Sequence, residues 1–150
     1  MSEKAFERAL EALALRERTT AELAAWLAQR GFGPDEVESA VDRLIGGGAL
    51  DDERFAIEFA ADKRELRGWG PERIREALRD RGLDPALIEA ALAGEGHGEQ
   101  LERAVELLER RAEPVFDERS RSRALSFLAR RGYDTDLAYD AVRAVERRAA

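Results

Sequence analysis

The side chains able to do chemistry are few in kind. The chain has one histidine and no cysteine, beside 32 carboxylates and 25 lysines and arginines. His97 sits in Gly94-Glu95-Gly96-His97-Gly98 with no nucleophile beside it. That setting describes a solvated loop histidine rather than a general base. Without cysteine, disulfides and Cys-ligated zinc are excluded. Neither glycine cluster cradles a phosphate: Gly46–Gly48 lacks a following Lys-Ser/Thr, and Gly94–Gly98 lacks a preceding strand. Carboxylates scattered along helices mark solvated faces. The expectation is therefore no enzyme, no catalytic residue, no cofactor and no metal.

What remains is basic surface. Arg119, Arg123, Ser126 and Arg130 fall within about 60° of one another at 100° per residue. They lie opposite Leu125 and Leu128, so they are expected to face water, either as a solubilising face or as a contact surface. Arg75 and Arg79, one turn apart, also point away from their apolar neighbours Ile74 and Leu78. Glu72 and Glu76 share that side, which favours internal pairing, and Arg73 is spaced to pair with Glu76. Trp69, between Gly68 and Gly70, reads as a residue closing a helix junction, with an exposed interface anchor as the other reading. Trp26, Phe55 and Phe59 read as core.

Charge narrows the partners. The net charge is −7, yet residues 1–62 carry 7 basic and 14 acidic side chains while residues 63–150 carry 18 of each. An acidic chain is poorly suited to simple duplex DNA binding, where neutralised phosphates supply the affinity. Arg outnumbers Lys by 23 to 2. That excess suits planar recognition of carboxylate or phosphate, but a GC-rich coding sequence explains it as well. No apolar run approaches the roughly 20 residues of a membrane span. The first residues, MSEKAFERAL, lack a signal peptide's apolar segment. A cytoplasmic location, no membrane partner and a monomer are expected.

The elements that must position these side chains are all helical, since strong helix formers dominate and no period-two alternation is sustained. Leu27-Ala-Gln-Arg30-Gly31-Phe32, Leu78-Arg-Asp-Arg81-Gly82-Leu83 and Leu128-Ala-Arg-Arg131-Gly132-Tyr133 are copies of one unit, with glycines 51 and then 50 residues apart. Each glycine is expected to end a helix in the left-handed conformation. Thr19 with Glu22 forms a capping box, and Gly70-Pro71 and Asp84-Pro85 open helices. Phe6, Ala9, Leu10 and Leu13 are the expected inner face of the first helix. Phe55, Phe59 and Leu66 serve the fourth, and Leu101, Ala104, Val105, Leu108 and Ala112 the seventh, which Pro114 ends. Asp117 to about Arg131 forms the eighth.

The fold class is thus all-α: three tandem three-helix, helix-turn-helix-like repeats forming an elongated, curved array. Their expected bounds are 1–48, 49–95 and 96–150, with flexible joints at 46–50 and 94–98. A unit of this size lies near the lower limit for an independent core, and stacking supplies the missing contacts.

Three segments carry a family resemblance. Leu50-Asp51-Asp52-Glu53-Arg54-Phe55-Ala56, Arg67-Gly68-Trp69-Gly70-Pro71-Glu72-Arg73-Ile74 and the Leu-x-x-Arg-Gly units resemble the RecX family of RecA modulators. The likeness runs over nearly the whole chain and is strongest at 50–92. Its structural signature is Phe55, Gly68, Trp69, Gly70, Pro71, Ile74 and Leu78, with Gly31, Gly82 and Gly132.

The resemblance implies tandem three-helix repeats and a non-enzymatic role. Such proteins bind the RecA–single-stranded DNA filament, lodge in its groove, and limit extension, ATP hydrolysis and strand exchange. By similarity, the basic positions Arg75, Arg79, Arg119, Arg123 and Arg130 face the filament, reaching single-stranded DNA through it. Two other classes stay open. One is a DNA-binding helix-turn-helix protein; the other is a helical-repeat scaffold for another partner.

Overall fold

Three helices end in the same turn. Gly31, Gly82 and Gly132 have φ of +91°, +80° and +99°. In each, the glycine amide donates to the carbonyl three residues back at 3.0 Å, and the next amide reaches Leu27, Leu78 or Leu128 at 3.1 to 3.4 Å. This Schellman pair satisfies carbonyls that a helix end otherwise leaves open. The residue after each glycine turns inward: Leu83 and Tyr133 are buried and Phe32 is half-buried.

A computed structural model describes residues 2–149, the side chain of Ser2 excepted. Among them are nine helices and no strand. They are α1 (Ser2–Leu15), α2 (Thr20–Gln29), α3 (Pro34–Gly46), α4 (Asp52–Arg67), α5 (Pro71–Asp80), α6 (Pro85–Leu92), α7 (His97–Arg110), α8 (Glu118–Arg130) and α9 (Thr135–Ala149). No described helix is long and apolar enough to cross a membrane. Contacts gather into two compact units. One runs to Ile57 and takes in Leu78–Ile88; the other holds Glu58–Ala77 and the described residues from Glu89 onward.

In the first unit, α1, α2 and α3 enclose a core of Ala5, Ala9, Ala12, Leu23, Leu27 and Leu44 among others. The inner face of α1 is the alanine stripe, not the larger side chains expected from the sequence. Leu10 is 44% exposed, and Phe6 and Leu13 pack only at the margin. Alanines at i, i+4 and i+7 let the α1 backbone approach α3 closely, so the small residues turn inward. Thr19 caps α2 in the expected box: its Oγ1 accepts from the Glu22 amide at 3.2 Å, and Glu22 Oε1 accepts from the Thr19 amide at 3.0 Å. Trp26 is half-buried rather than core, its ring covered by the guanidinium of Arg30 at 3.7 Å. The 46–50 connection is a closed turn, with the amides of Ala49 and Leu50 both donating to the Leu44 carbonyl. Asp51 caps α4 by accepting from the Arg54 amide, while Asp52 accepts from Thr20 at the start of α2.

In the second unit, α7, α8 and α9 bury Ala104, Val105, Leu108, Ala124, Leu128 and Leu137 with their neighbours. Three expectations change here. Leu66 is 78% exposed, because Arg64 and not Leu66 turns toward the protein. His97 is the first residue of α7, inside the segment expected to be a loop, and its Nε2 lies 3.5 Å from Asp140 Oδ2. Helix α7 stops at Arg110 and leaves Ala112 exposed. A helical Pro114 would drive its ring into the Arg110 carbonyl four residues back, so the chain leaves the helix there and Arg111 is extended. Val115 is then buried and Asp117 caps α8.

Candidate functional site

Gly70, beside Trp69, is explained by how closely two backbones meet. The Gly70 amide donates to the Arg131 carbonyl at 2.7 Å, and the Glu72 amide to the Gly132 carbonyl at 2.9 Å. A Cβ at Gly70 would lie 2.6 Å from the Gly132 oxygen, and one at Gly132 would lie 2.5 Å from Arg73 Cβ. The start of α5 and the turn after α8 therefore join backbone to backbone. Gly68, at φ +67°, offers its carbonyl to the Tyr133 hydroxyl at 2.9 Å. Pro71 opens α5, and Ile74 and Leu78 are fully buried along its inner side.

Trp69 itself is half-buried, with its ring edge-on to Phe59 at 6.4 Å. The Lys63 ammonium lies 4.9 Å and the Arg73 guanidinium 4.3 Å from its ring. Arg73 also donates to the Arg130 carbonyl at 3.3 Å. It does not pair with Glu76: an aromatic face and a helix-end carbonyl hold it instead.

The same join occurs one repeat earlier with side chains in place of backbone. Thr19, fully buried, donates from Oγ1 to the Arg81 carbonyl at 2.7 Å. A Cβ at Gly82 would lie 2.8 Å from Ala21 Cβ. Arg81 makes a two-point ion pair with Glu22 at 2.7 and 2.9 Å, and its guanidinium lies 4.7 Å from the buried ring of Phe55. Burial pushes the Glu22 carboxyl up, but hydrogen bonds from Arg81 and the Thr19 amide outweigh it and hold the pKa below its ordinary value.

The arginines expected at a contact surface differ in their freedom. Arg119, Arg123 and Arg130 are exposed on α8, and Ser126 stands among them. Arg123 pairs with Glu113 at 2.5 Å. The side chains of Arg119 and Arg130 have no ion-pair partner among the described residues. On α5, Arg75 is held by Glu72 at 2.7 Å and by Glu89 at 2.7 and 3.0 Å. Those hydrogen bonds raise its pKa well above the usual arginine value. The pairing with Glu72 is the expected one; Glu89 comes from α6. Arg79 is exposed. Because Arg73 reaches the end of α8, the first turn of α5 and the last turn of α8 adjoin.

Sequence reading missed one charged cluster. Glu95, nearly buried, accepts from Arg103 Nη2 at 2.6 Å and also pairs with Arg103 Nη1 and with Arg64 Nε at 3.4 Å. Arg103 Nε donates to the Tyr133 hydroxyl at 2.8 Å. Burial opposes the charge of Arg103, yet Glu95 and Tyr133 overcome this and raise its pKa. Burial likewise raises the Tyr133 phenol. The members come from separate segments, so no local spacing reveals them. Among the described residues, no group of three or more His, Asp or Glu could hold a metal ion.

Comparison with known proteins accords with this architecture. The family model for the first three-helix domain of RecX matches residues 5–44, and that for the second matches residues 51–92. The chain belongs to the RecX family. It is 39% identical over 152 residues to the regulatory protein RecX of Mycolicibacterium vanbaalenii, covering 95% of this chain and 82% of that one. It is 40% identical over 134 residues to the regulatory protein RecX of Trichlorobacter lovleyi, covering 86% and 87%. Its fold matches the crystal structure of RecX from Lactobacillus salivarius with a TM-score of 0.87 at 20% identity, covering 97% of this chain and 96% of that one. The RecX domains so matched are three-helix units, and each contains one of the turns at Gly31 and Gly82.

Proposed function

We propose that this chain binds the RecA–single-stranded DNA filament and restrains its extension, ATP hydrolysis and strand exchange, without catalysing a reaction. The observation that carries this reading is membership of the RecX family, whose relatives bear the name regulatory protein. Repeated three-helix units support it. A chain with repeats at 1–48, 49–95 and 96–150 can touch successive protomers of a polymer, and weak contacts on one body act together through effective concentration. In this reading the protein works as a cytoplasmic monomer. Arg79, Arg119, Arg123 and Arg130 supply contacts, and Arg75 contributes only by exchanging an existing carboxylate partner.

The test is to add substoichiometric protein to RecA filaments preformed on single-stranded DNA. ATPase and strand exchange should fall, and the protein should sediment with the filaments at low salt. No effect on either activity together with no co-sedimentation would overturn the reading. Steeply salt-dependent DNA binding without RecA would favour a direct nucleic-acid binder instead.

A further inference from the structure

The offset that aligns the repeats also aligns a groove. Between α2 and α3 lies an open apolar groove of about 670 Å³, floored by Ala24, Ala25, Ala28, Phe32, Val37 and Val41. The positions 101 residues further on line a smaller groove of about 210 Å³ between α8 and α9, where Leu125 replaces Ala24 and Tyr139 replaces Glu38. The intermediate positions are Arg75 and Glu89, whose side chains meet in a two-point ion pair at 2.7 and 3.0 Å. One position pair therefore takes three forms: open in the first repeat, bridged in the second, narrowed by larger side chains in the third.

The rim of the first groove is acidic: Glu38 lines it, and Asp35 and Asp42, at i−3 and i+4 from Glu38 on α3, line an adjoining depression that Glu38 shares; all three are exposed. None of their side chains has a hydrogen-bond or ion-pair partner among the described residues. The one basic side chain of α3, Arg43, is held by Glu3 at 2.9 Å. Small residues in the floor let another backbone come near, as the α1 alanines do against α3. Two helices with an apolar trough between them are the setting for a third helix.

We propose that the α2–α3 groove docks a short amphipathic helix of a partner protein. Its entering face would be aliphatic, and lysines or arginines along its edge would meet Asp35, Glu38 and Asp42. Charge complementarity chooses the partner's sign and speeds encounter. This inference does not rest on the RecA reading, since the groove specifies the chemistry of a helix and not its owner.

The experiment uses the full chain and a labelled peptide about four turns long, with Leu at i, i+3, i+4 and i+7 and Lys elsewhere. A second peptide carries Glu in place of Lys. Binding is followed by fluorescence anisotropy at about 0.1 M salt, where charge steering still operates. The Lys peptide should bind saturably and shift amide resonances at Ala24, Ala28, Val37 and Val41. Ala24→Arg places an arginine opposite Glu38, as Arg75 stands opposite Glu89, and should weaken binding by about tenfold or more. Replacing Asp35, Glu38 and Asp42 together with Lys should switch preference to the Glu peptide. Should Ala24→Arg melt early, Ala28→Arg, at the position of Arg79, repeats the block.

Equal binding to wild type and the groove-blocked variant would overturn the proposal. So would absence of saturation up to roughly millimolar peptide, or resonance shifts confined to other residues. Self-association abolished by Ala24→Arg would replace the partner helix with a second copy of the chain, and would overturn it too.

Discussion

The Gly70 amide donates to the Arg131 carbonyl at 2.7 Å, and Thr19, at the equivalent position one repeat earlier, donates its hydroxyl to the Arg81 carbonyl at the same distance. One repeat thus receives the arginine-glycine turn through a side chain, the other through backbone. Both give the last carbonyl before the glycine a donor from another element. Buried carbonyls left without a donor are costly, so these joins select the residues on both sides.

The turn glycines should therefore differ in sensitivity. A Cβ at Gly31 meets nothing within 4 Å, so Gly31→Ala adds only left-handed backbone strain, about 1–2 kcal/mol. Gly132→Ala adds the same strain and a collision with the Arg73 backbone 2.5 Å away. Overpacking of that kind costs about a further 1–3 kcal/mol. Gly82→Ala should fall between, since its neighbour is the Ala21 methyl group. Urea unfolding of the three variants checks the order. Equal losses would show that strain alone sets the cost.

Acid should loosen the join at Glu22. Its folded-state pKa lies below the ordinary value of 4.5. The contribution is therefore fully present above about pH 4.5 and is lost as pH falls through the lower, folded-state value. Asp117 and Glu146, also depressed, carry the same sign: the first through its Ser120 hydrogen bonds, the second through Arg121. Glu22→Gln should lower the melting temperature at neutral pH and reduce the slope of stability against pH between about 5 and 3. An unchanged slope would mean that Glu22 is ionised with equal ease in folded and unfolded chains.

The sequence was most informative where structure is local. Schellman glycines, the Thr19 box and the Asp84 cap each depend on residues a few positions apart, and all form as spaced. It misled where close packing decides. The α1 alanines turn inward because they allow α3 to approach, which no count of apolar residues conveys. Gly70 reads as a helix opener, yet its lack of a side chain is required by Gly132, 62 positions away. The pairs Glu22–Arg81 and Arg103–Glu95 join separate elements, and only the fold brings them together. The α8 arginines were legible as exposed, because a helical period sets them opposite Leu125 and Leu128; Leu128 is fully buried, while Leu125 packs only at the margin of the core.

Tyr133 offers a test of the second unit. Its hydroxyl donates to the Gly68 carbonyl at 2.9 Å and accepts from Arg103 at 2.8 Å. Tyr133→Phe keeps the ring and removes both bonds. The buried Gly68 carbonyl and one donor of a half-buried guanidinium lose their partner, at a cost of about 1–3 kcal/mol. Chemical denaturation measures the loss. A variant as stable as the wild type would show that water replaces the hydroxyl at no cost.

The exposed arginines of α8 separate surface from scaffold. Arg119, Arg123 and Arg130 lie outside the buried face of Ala124 and Leu128, and among the described residues their one ion pair is Arg123 with the partly exposed Glu113. Surface pairs of this kind contribute at most about 1 kcal/mol. Changing all three to Glu should therefore leave helicity unchanged and shift the melting temperature by a few degrees at most. If these side chains meet the filament, three charge reversals should weaken co-sedimentation with RecA filaments by about tenfold or more, most strongly at low salt. The same substitutions should leave the groove lined by Ala24 and Val37 able to bind its peptide, since none of the three lines it. Undiminished co-sedimentation would reduce the arginine stripe to a solvated face and move the search for the contact surface to Arg79 and the rest of α5.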